Sequence, residues 1–129
     1  MIRKILLLWL FAPFWTHAQA LKFEDKTFEL INVKGKVIQF QGQKVLQLER
    51  DLASLPFDAK NLEATVDDKH YAKLLNLEDF ESSSIEVKMY SQIQDRSPFP
   101  SAAGFIGVYF RINKEESAWE SIYLRPKVG

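Results

Sequence analysis

The sequence contains no cysteine, which excludes a disulfide scaffold, a thiolate zinc site and a cysteine nucleophile together. Histidine is nearly as scarce, with two residues in 129. Charge of either sign is not in excess: 17 Lys and Arg balance 17 Asp and Glu. With no basic block in the chain, a nucleic-acid partner is not expected. Internal repeats and low-complexity tracts are also lacking. What the chain does hold is apolar and aromatic: 47% hydrophobic residues and 13% Phe, Trp and Tyr. That is too rich for a disordered chain, and the length suits one domain at most.

The apolar residues are not evenly spread. Met1-Ile2-Arg3-Lys4 is a short basic start, and Ile5 to Trp15 is an apolar run broken only by Pro13. Thr16-His17-Ala18-Gln19-Ala20 then sets Ala18 and Ala20 in an A-x-A arrangement. This is the layout of a secretory signal peptide, with cleavage expected after Ala20. The run is shorter than the ~20 residues a helix needs to cross the hydrocarbon core, so no membrane anchor is expected after cleavage. Removal of residues 1–20 takes Arg3 and Lys4 and no acid, leaving 15 basic against 17 acidic side chains. Trp119 and His70 are then the remaining tryptophan and histidine. An exported chain without cysteine is held by packing alone.

From Leu21 onward the pattern reads mostly as strands. Leu21-Lys22-Phe23 opens a run that ends Thr27-Phe28-Glu29-Leu30-Ile31. Lys36 to Phe40 and Lys44 to Glu49 flank Gln41-Gly42-Gln43, which reads as a three-residue hairpin loop with its glycine at positive φ. Arg50 to Asp68 is irregular, with room for one helical turn, and His70 to Leu77 is strand-like. Ile85-Glu86-Val87-Lys88-Met89-Tyr90 alternates, which predicts a strand with Ile85, Val87 and Met89 inward. Ser91 to Ser101, with Pro98 and Pro100, is a loop. Ala102 to Ile112 and Trp119 to Arg125 are predicted strands joined by the polar turn Asn113-Lys114-Glu115-Glu116. Roughly seven strands and little helix predict an all-β, antiparallel β-sandwich.

The last two strands carry a resemblance. Gly104-Phe105-Ile106-Gly107-Val108-Tyr109-Phe110-Arg111, then Trp119-Glu120-Ser121-Ile122-Tyr123-Leu124-Arg125-Pro126, resembles the GI-x-FR … YE-x-x-YLRP hairpin of exported bacterial proteins with a concanavalin A-like lectin/glucanase jelly roll. Lys34-Gly35-Lys36, Leu46-Gln47-Leu48 and Asp79-Phe80 before Ile85-Glu86-Val87 stand in the same order. The resemblance implies such a domain over residues 21–129. Proteins of this kind continue beyond Arg-Pro, whereas Pro126-Lys127-Val128-Gly129 stops, so the expectation is a jelly roll truncated at its C-terminus.

The chemistry points to recognition. His70 is the sole histidine base after cleavage, and no serine sits in a G-x-S-x-G elbow. Laminarinase-type relatives of this architecture carry their carboxylates as E-x-D-x-E on one strand. Glu49-Arg50-Asp51 begins that spacing and Ala53 ends it, while Glu86 and Glu120 stand alone. Asp67-Asp68-Lys69-His70 lacks the ligands for a metal site. No catalytic residue, metal or cofactor is therefore predicted. Alternation instead gathers Phe105, Gly107, Tyr109 and Arg111 with Trp119, Ser121, Tyr123 and Arg125 on one face. Tyr109 and Tyr123 are the candidate stacking residues for a carbohydrate, and Arg111 and Arg125 the candidate donors to its hydroxyls. Gly107 among larger neighbours suggests room for a ligand. The enzymatic alternative is a glycoside hydrolase-like or glycoside-modifying protein of the same superfamily whose catalytic strands lie beyond Gly129. A remnant without function of its own is the third alternative.

Overall fold

A computed structural model of the chain describes residues 19–65, 69–77, 82, 84–95, 97–100 and 102–127. The Met1–Ala18 part of the expected leader and the Asp67-Asp68 pair lie outside the described residues. The fold is all-β and antiparallel, with strands β1 (Gln19–Phe23), β2 (Lys26–Ile31), β3 (Val33–Phe40), β4 (Gln43–Arg50), β5 (Tyr71–Leu74), β6 (Ile106–Phe110) and β7 (Glu120–Leu124). They form a three-stranded sheet β1-β2-β5 and two hairpins, β3-β4 and β6-β7.

The three-stranded sheet is two-faced because its pairings keep alternation in step. Leu21 lies opposite Phe28, which lies opposite Leu74, and Leu30 lies opposite Ala72. Directly opposed residues share a face, so these apolar side chains form one surface, and β3 packs across it. The contact point is Gly35. A Cβ placed there meets Leu30 Cδ1 at 2.9 Å and Leu21 Cδ2 at 3.0 Å, so the backbone of β3 lies directly on the two leucines. Leu30 and Val33 are buried at this junction, and Leu55 and Ala103 are the other buried hydrophobics among the described residues. This sandwich-like core is small.

The β3-β4 hairpin is tighter than the sequence suggests. Phe40 pairs with Gln43, so the connection is the two residues Gln41 and Gly42, at φ 50° and φ 76°. Positive φ at both positions gives the type I′ geometry whose twist suits two-residue hairpins. Between β4 and β5 the chain is irregular, with one 3₁₀ turn at Leu62–Ala64. Asp51 fixes the exit from β4: its carboxylate accepts from the Ala53 N–H at 3.0 Å and the Ser54 hydroxyl at 2.9 Å.

Two strand expectations are corrected. Ile85 to Tyr90 is extended in pattern but joins no sheet, and Ile85, Val87 and Met89 are exposed at 52%, 52% and 37%. Alternation prescribes two faces, but a strand also needs ladder pairing with a neighbour, and among the described residues this segment has none. Tyr90 nevertheless meets Phe40, ring centroids 4.8 Å apart. The strand expected over Ala102 to Ile112 is regular only over β6. Gly104 at φ 65° interrupts it on one side and Arg111 at φ 52° on the other.

Candidate functional site

The β6-β7 hairpin carries all four residues singled out as a binding face. Its register pairs Gly107 with Tyr123 and Tyr109 with Ser121. Continued outward, the same register sets Phe105 opposite Arg125 and Ala103 opposite Lys127, and the Lys127 N–H donates to the Ala103 carbonyl at 3.1 Å. Tyr109 and Tyr123 therefore share one face with Phe105 and Ser121, as alternation predicts. The rings on this hairpin are unburied: Phe105 is 58% exposed, Tyr109 48%, Trp119 46% and Tyr123 58%.

The rings form two groups along the hairpin. Phe105 and Tyr123 meet edge to face at 5.6 Å, with the Arg125 guanidinium 4.6 Å above the Phe105 ring. Tyr109 meets Trp119 edge to face at 5.8 Å and approaches Tyr71 of β5 at 6.2 Å. Such contacts are worth about 0.5–1.5 kcal/mol beyond area burial, enough to hold each ring in place. Gly107 lies between the groups, but the space above it belongs to the chain. A Cβ there runs into the Ile122 carbonyl oxygen and comes within 2.7 Å of Tyr123 Cβ. The glycine permits close approach of β7, not of a ligand.

Arg111 is taken out of the strand by its left-handed backbone. Its Nη1 donates to Glu120 Oε1 at 2.9 Å, and this hydrogen bond, with the charge beside it, raises the guanidinium's pKa further. Arg111 and Arg125 thus reach their posts differently, one through a carboxylate and the other over a ring.

Tyr71, Lys73 and Glu116 form a polar cluster that the sequence gives no reason to connect. The Tyr71 hydroxyl donates to Glu116 Oε2 at 2.8 Å, and Lys73 Nζ donates to Glu116 Oε1. The hydrogen bond from Lys73 and that from Tyr71 hold the Glu116 carboxyl below the usual carboxylate range, and Glu116 in turn raises Lys73. This cluster pins the β6-β7 turn to β5 and brings Tyr71 up to Tyr109. The signal for it is weak: Tyr71 and Lys73 share a face of a short strand, and Glu116 belongs to a polar turn about 45 positions later.

Two shallow cavities are present, the first at the open end of the β6-β7 hairpin, lined in part by the residues that precede Phe105 and follow Arg125. One, about 280 Å³, is lined by Ser91, Ile93, Ala103, Gly104, Pro126 and Lys127; the other, about 300 Å³, lies around Leu55, Pro56 and Phe57. Among the described residues no three His, Asp or Glu side chains gather as a metal site, and no helix is long and apolar enough to cross a membrane. A comparison with protein-family models, curated proteins and solved structures returns no match.

Proposed function

We propose that this chain is an exported protein of the concanavalin A-like jelly-roll type that recognises carbohydrate without cleaving it. The observation that carries the reading is the β6-β7 hairpin, where Phe105, Tyr109 and Tyr123 share one face beside Trp119 and all four rings are roughly half exposed. Rings held by neighbouring rings offer flat apolar surfaces at low entropic cost, which suits the apolar face of a sugar. Arg125, set over Phe105, supplies a donor on that face. Arg111 is held by Glu120, which pairs with Phe110 on the opposite face, and so reaches a ligand only at the hairpin's end. The carboxylates nearby support recognition over hydrolysis. Glu116 is tied to Lys73 and Tyr71, and Glu120 to Arg111. A general acid needs a raised pKa, whereas that of Glu116 is lowered. The basic start, apolar run and A-x-A exit of residues 1–20 support export.

Titration calorimetry against a panel of soluble oligosaccharides tests the reading. Binding is expected, and Tyr109→Ala or Tyr123→Ala weakens it at least tenfold, the ~1.4 kcal/mol scale of one lost ring contact. Arg111→Ala and Arg125→Ala weaken it as well. No binding across the panel, or binding indifferent to all four substitutions, refutes the reading. Mass spectrometry of the secreted chain tests export separately, with Leu21 as the expected first residue.

A further inference from the structure

The segment Ile85-Glu86-Val87-Lys88-Met89-Tyr90 has the pattern of a strand and no strand beside it. From position 84 to position 94 the chain runs without turn, bend or helix and without a positive φ. Among the described residues it joins no ladder, and every residue from 85 to 90 is exposed. Tyr90 packs on Phe40 of β3, which anchors one end. By alternation Glu86 and Lys88 lie on the side of Tyr90, and Ile85, Val87 and Met89 form an apolar row on the other. Neither Glu86 nor Lys88 has an ion pair or hydrogen-bond partner among the described residues. A straight segment with open backbone groups is a template for another strand.

We propose that residues 85–90 pair antiparallel with the same segment of a second copy of this chain, about a two-fold axis at Val87. Charge selects the partner, the direction and the register. Centred on Val87, the pairing sets Glu86 of each copy opposite Lys88 of the other, and Ile85 opposite Met89. Directly opposed residues share a face, so Ile85, Val87 and Met89 of both copies form one apolar surface and the two ion pairs lie on the other. The neighbouring registers fail. Centring on Glu86 or on Lys88 sets like charges against each other, and in-register parallel pairing does so at both positions. A slip of one residue puts a charge opposite an apolar side chain. Ile-Glu-Val-Lys-Met is thus complementary to itself in this one arrangement, which is what a two-fold interface requires. Both charges are uncommitted within the chain. This pairing does not depend on what the β6-β7 face binds.

So short a segment buries little area beside the ~1,200–2,000 Å² of stable interfaces, so the dimer is weak and reversible. Sedimentation velocity of the purified chain at increasing concentration is expected to show monomer and dimer in exchange. Glu86→Lys and Lys88→Glu each turn both ion pairs into like-charge pairs and should weaken dimerisation about tenfold. Both side chains are exposed, so neither reversal unfolds the chain. The double variant Glu86→Lys with Lys88→Glu exchanges the charges and should recover the wild-type dimer. The two single variants, mixed, should pair with each other more tightly than either does with itself. Because the chain has no cysteine, single cysteines report the register without interference. Val87→Cys brings two Cα atoms to roughly 4.5–5.5 Å, within disulfide reach, and Ile85→Cys leaves them about 14 Å apart. Oxidation should therefore cross-link the first and spare the second. A wild-type chain that stays monomeric at about 100 µM, where a weak interface of this size is populated, leaves the segment to a strand from elsewhere and overturns the proposal. A dimer indifferent to both reversals, or not recovered by the double exchange, overturns it too.

Discussion

Adding one methyl group at Gly35 tests whether β3 rests on the three-stranded sheet as described. An alanine Cβ there lies 2.9 Å and 3.2 Å from the two Leu30 methyls and 3.0 Å from Leu21 Cδ2. Ordinary contact begins near 3.5 Å, so both leucines must give by several tenths of an ångström. Leu30, 6% exposed, has little space to yield. Overpacking of this kind costs about 1–3 kcal/mol. Gly35 lacks a positive φ, so alanine also recovers roughly 0.4–1 kcal/mol by restricting the unfolded chain. The balance is a loss of about 1 kcal/mol, or ~4–8 °C in Tm for a domain of this size, read by far-UV circular dichroism. Gly42 is the control, because at φ 76° it has no atom within 4 Å of the added Cβ. Gly42→Ala is expected to lose ~1 kcal/mol through backbone strain alone, and Gly42→Asn, which tolerates that conformation, to lose less. Gly35→Asn must lose more than Gly35→Ala. In a double-mutant cycle, Leu30→Ala should relieve Gly35→Ala by roughly 1 kcal/mol. If Gly35→Ala is neutral, or strictly additive with Leu30→Ala, the stacking of β3 on Leu30 is refuted.

Other outcomes follow from the hairpin and its anchor. Glu116 has a lowered pKa, so its contact with Lys73 and Tyr71 stabilises the fold above the unfolded carboxylate value of about 4.3. That contribution disappears as pH falls through the lower folded value, as does the one from Asp51, lowered by the Ala53 N–H and the Ser54 hydroxyl. Lys73 is raised, so the same contact is lost again as pH climbs through its folded value above 10.5. Glu116→Gln should flatten both flanks in pH-dependent denaturant melts, and unchanged flanks count against the cluster. Gly107→Ala, whose Cβ meets Tyr123 Cβ at 2.7 Å, is expected to open the β6-β7 hairpin at a cost of about 1–3 kcal/mol, visible as lost amide protection in β7. Arg111→Asn should leave Tm unchanged, because the pair with Glu120 is exposed and Asn accepts φ 52°; a large fall in Tm would show that Arg111 holds more than Glu120.

The strands with turn chemistry written beside them were legible in the sequence. Gln41-Gly42 announced the β3-β4 hairpin. β3 begins earlier than expected, at Val33, and the loop is shorter because Gln41 itself accepts positive φ and lets Gln43 pair. The shared facing of Tyr109 and Tyr123 followed from alternation. Ile85 to Tyr90 misled for a definite reason: periodicity describes a segment's own faces and says nothing of whether an edge waits beside it. Arg111 left the strand because one backbone angle changed sign, which no side-chain pattern encodes. Tyr71, Lys73 and Glu116 escaped notice because their meeting depends on where β5 lies relative to a turn far along the chain.

The pairings also differ in how far apart their strands lie along the chain, and this orders their formation. β1 with β2 and β3 with β4 are neighbours joined by two residues, and such hairpins close in about 1–10 μs. β5 must return to β2 so that Leu74 meets Phe28, 46 positions earlier, and closing that loop costs entropy before any contact repays it. The β6-β7 turn then docks through Tyr71 and Lys73, both on β5. The aromatic hairpin can thus zip its own ladder early yet reach its place only after the slowest closure is complete. Damage to β5 would leave a hairpin that is formed but adrift.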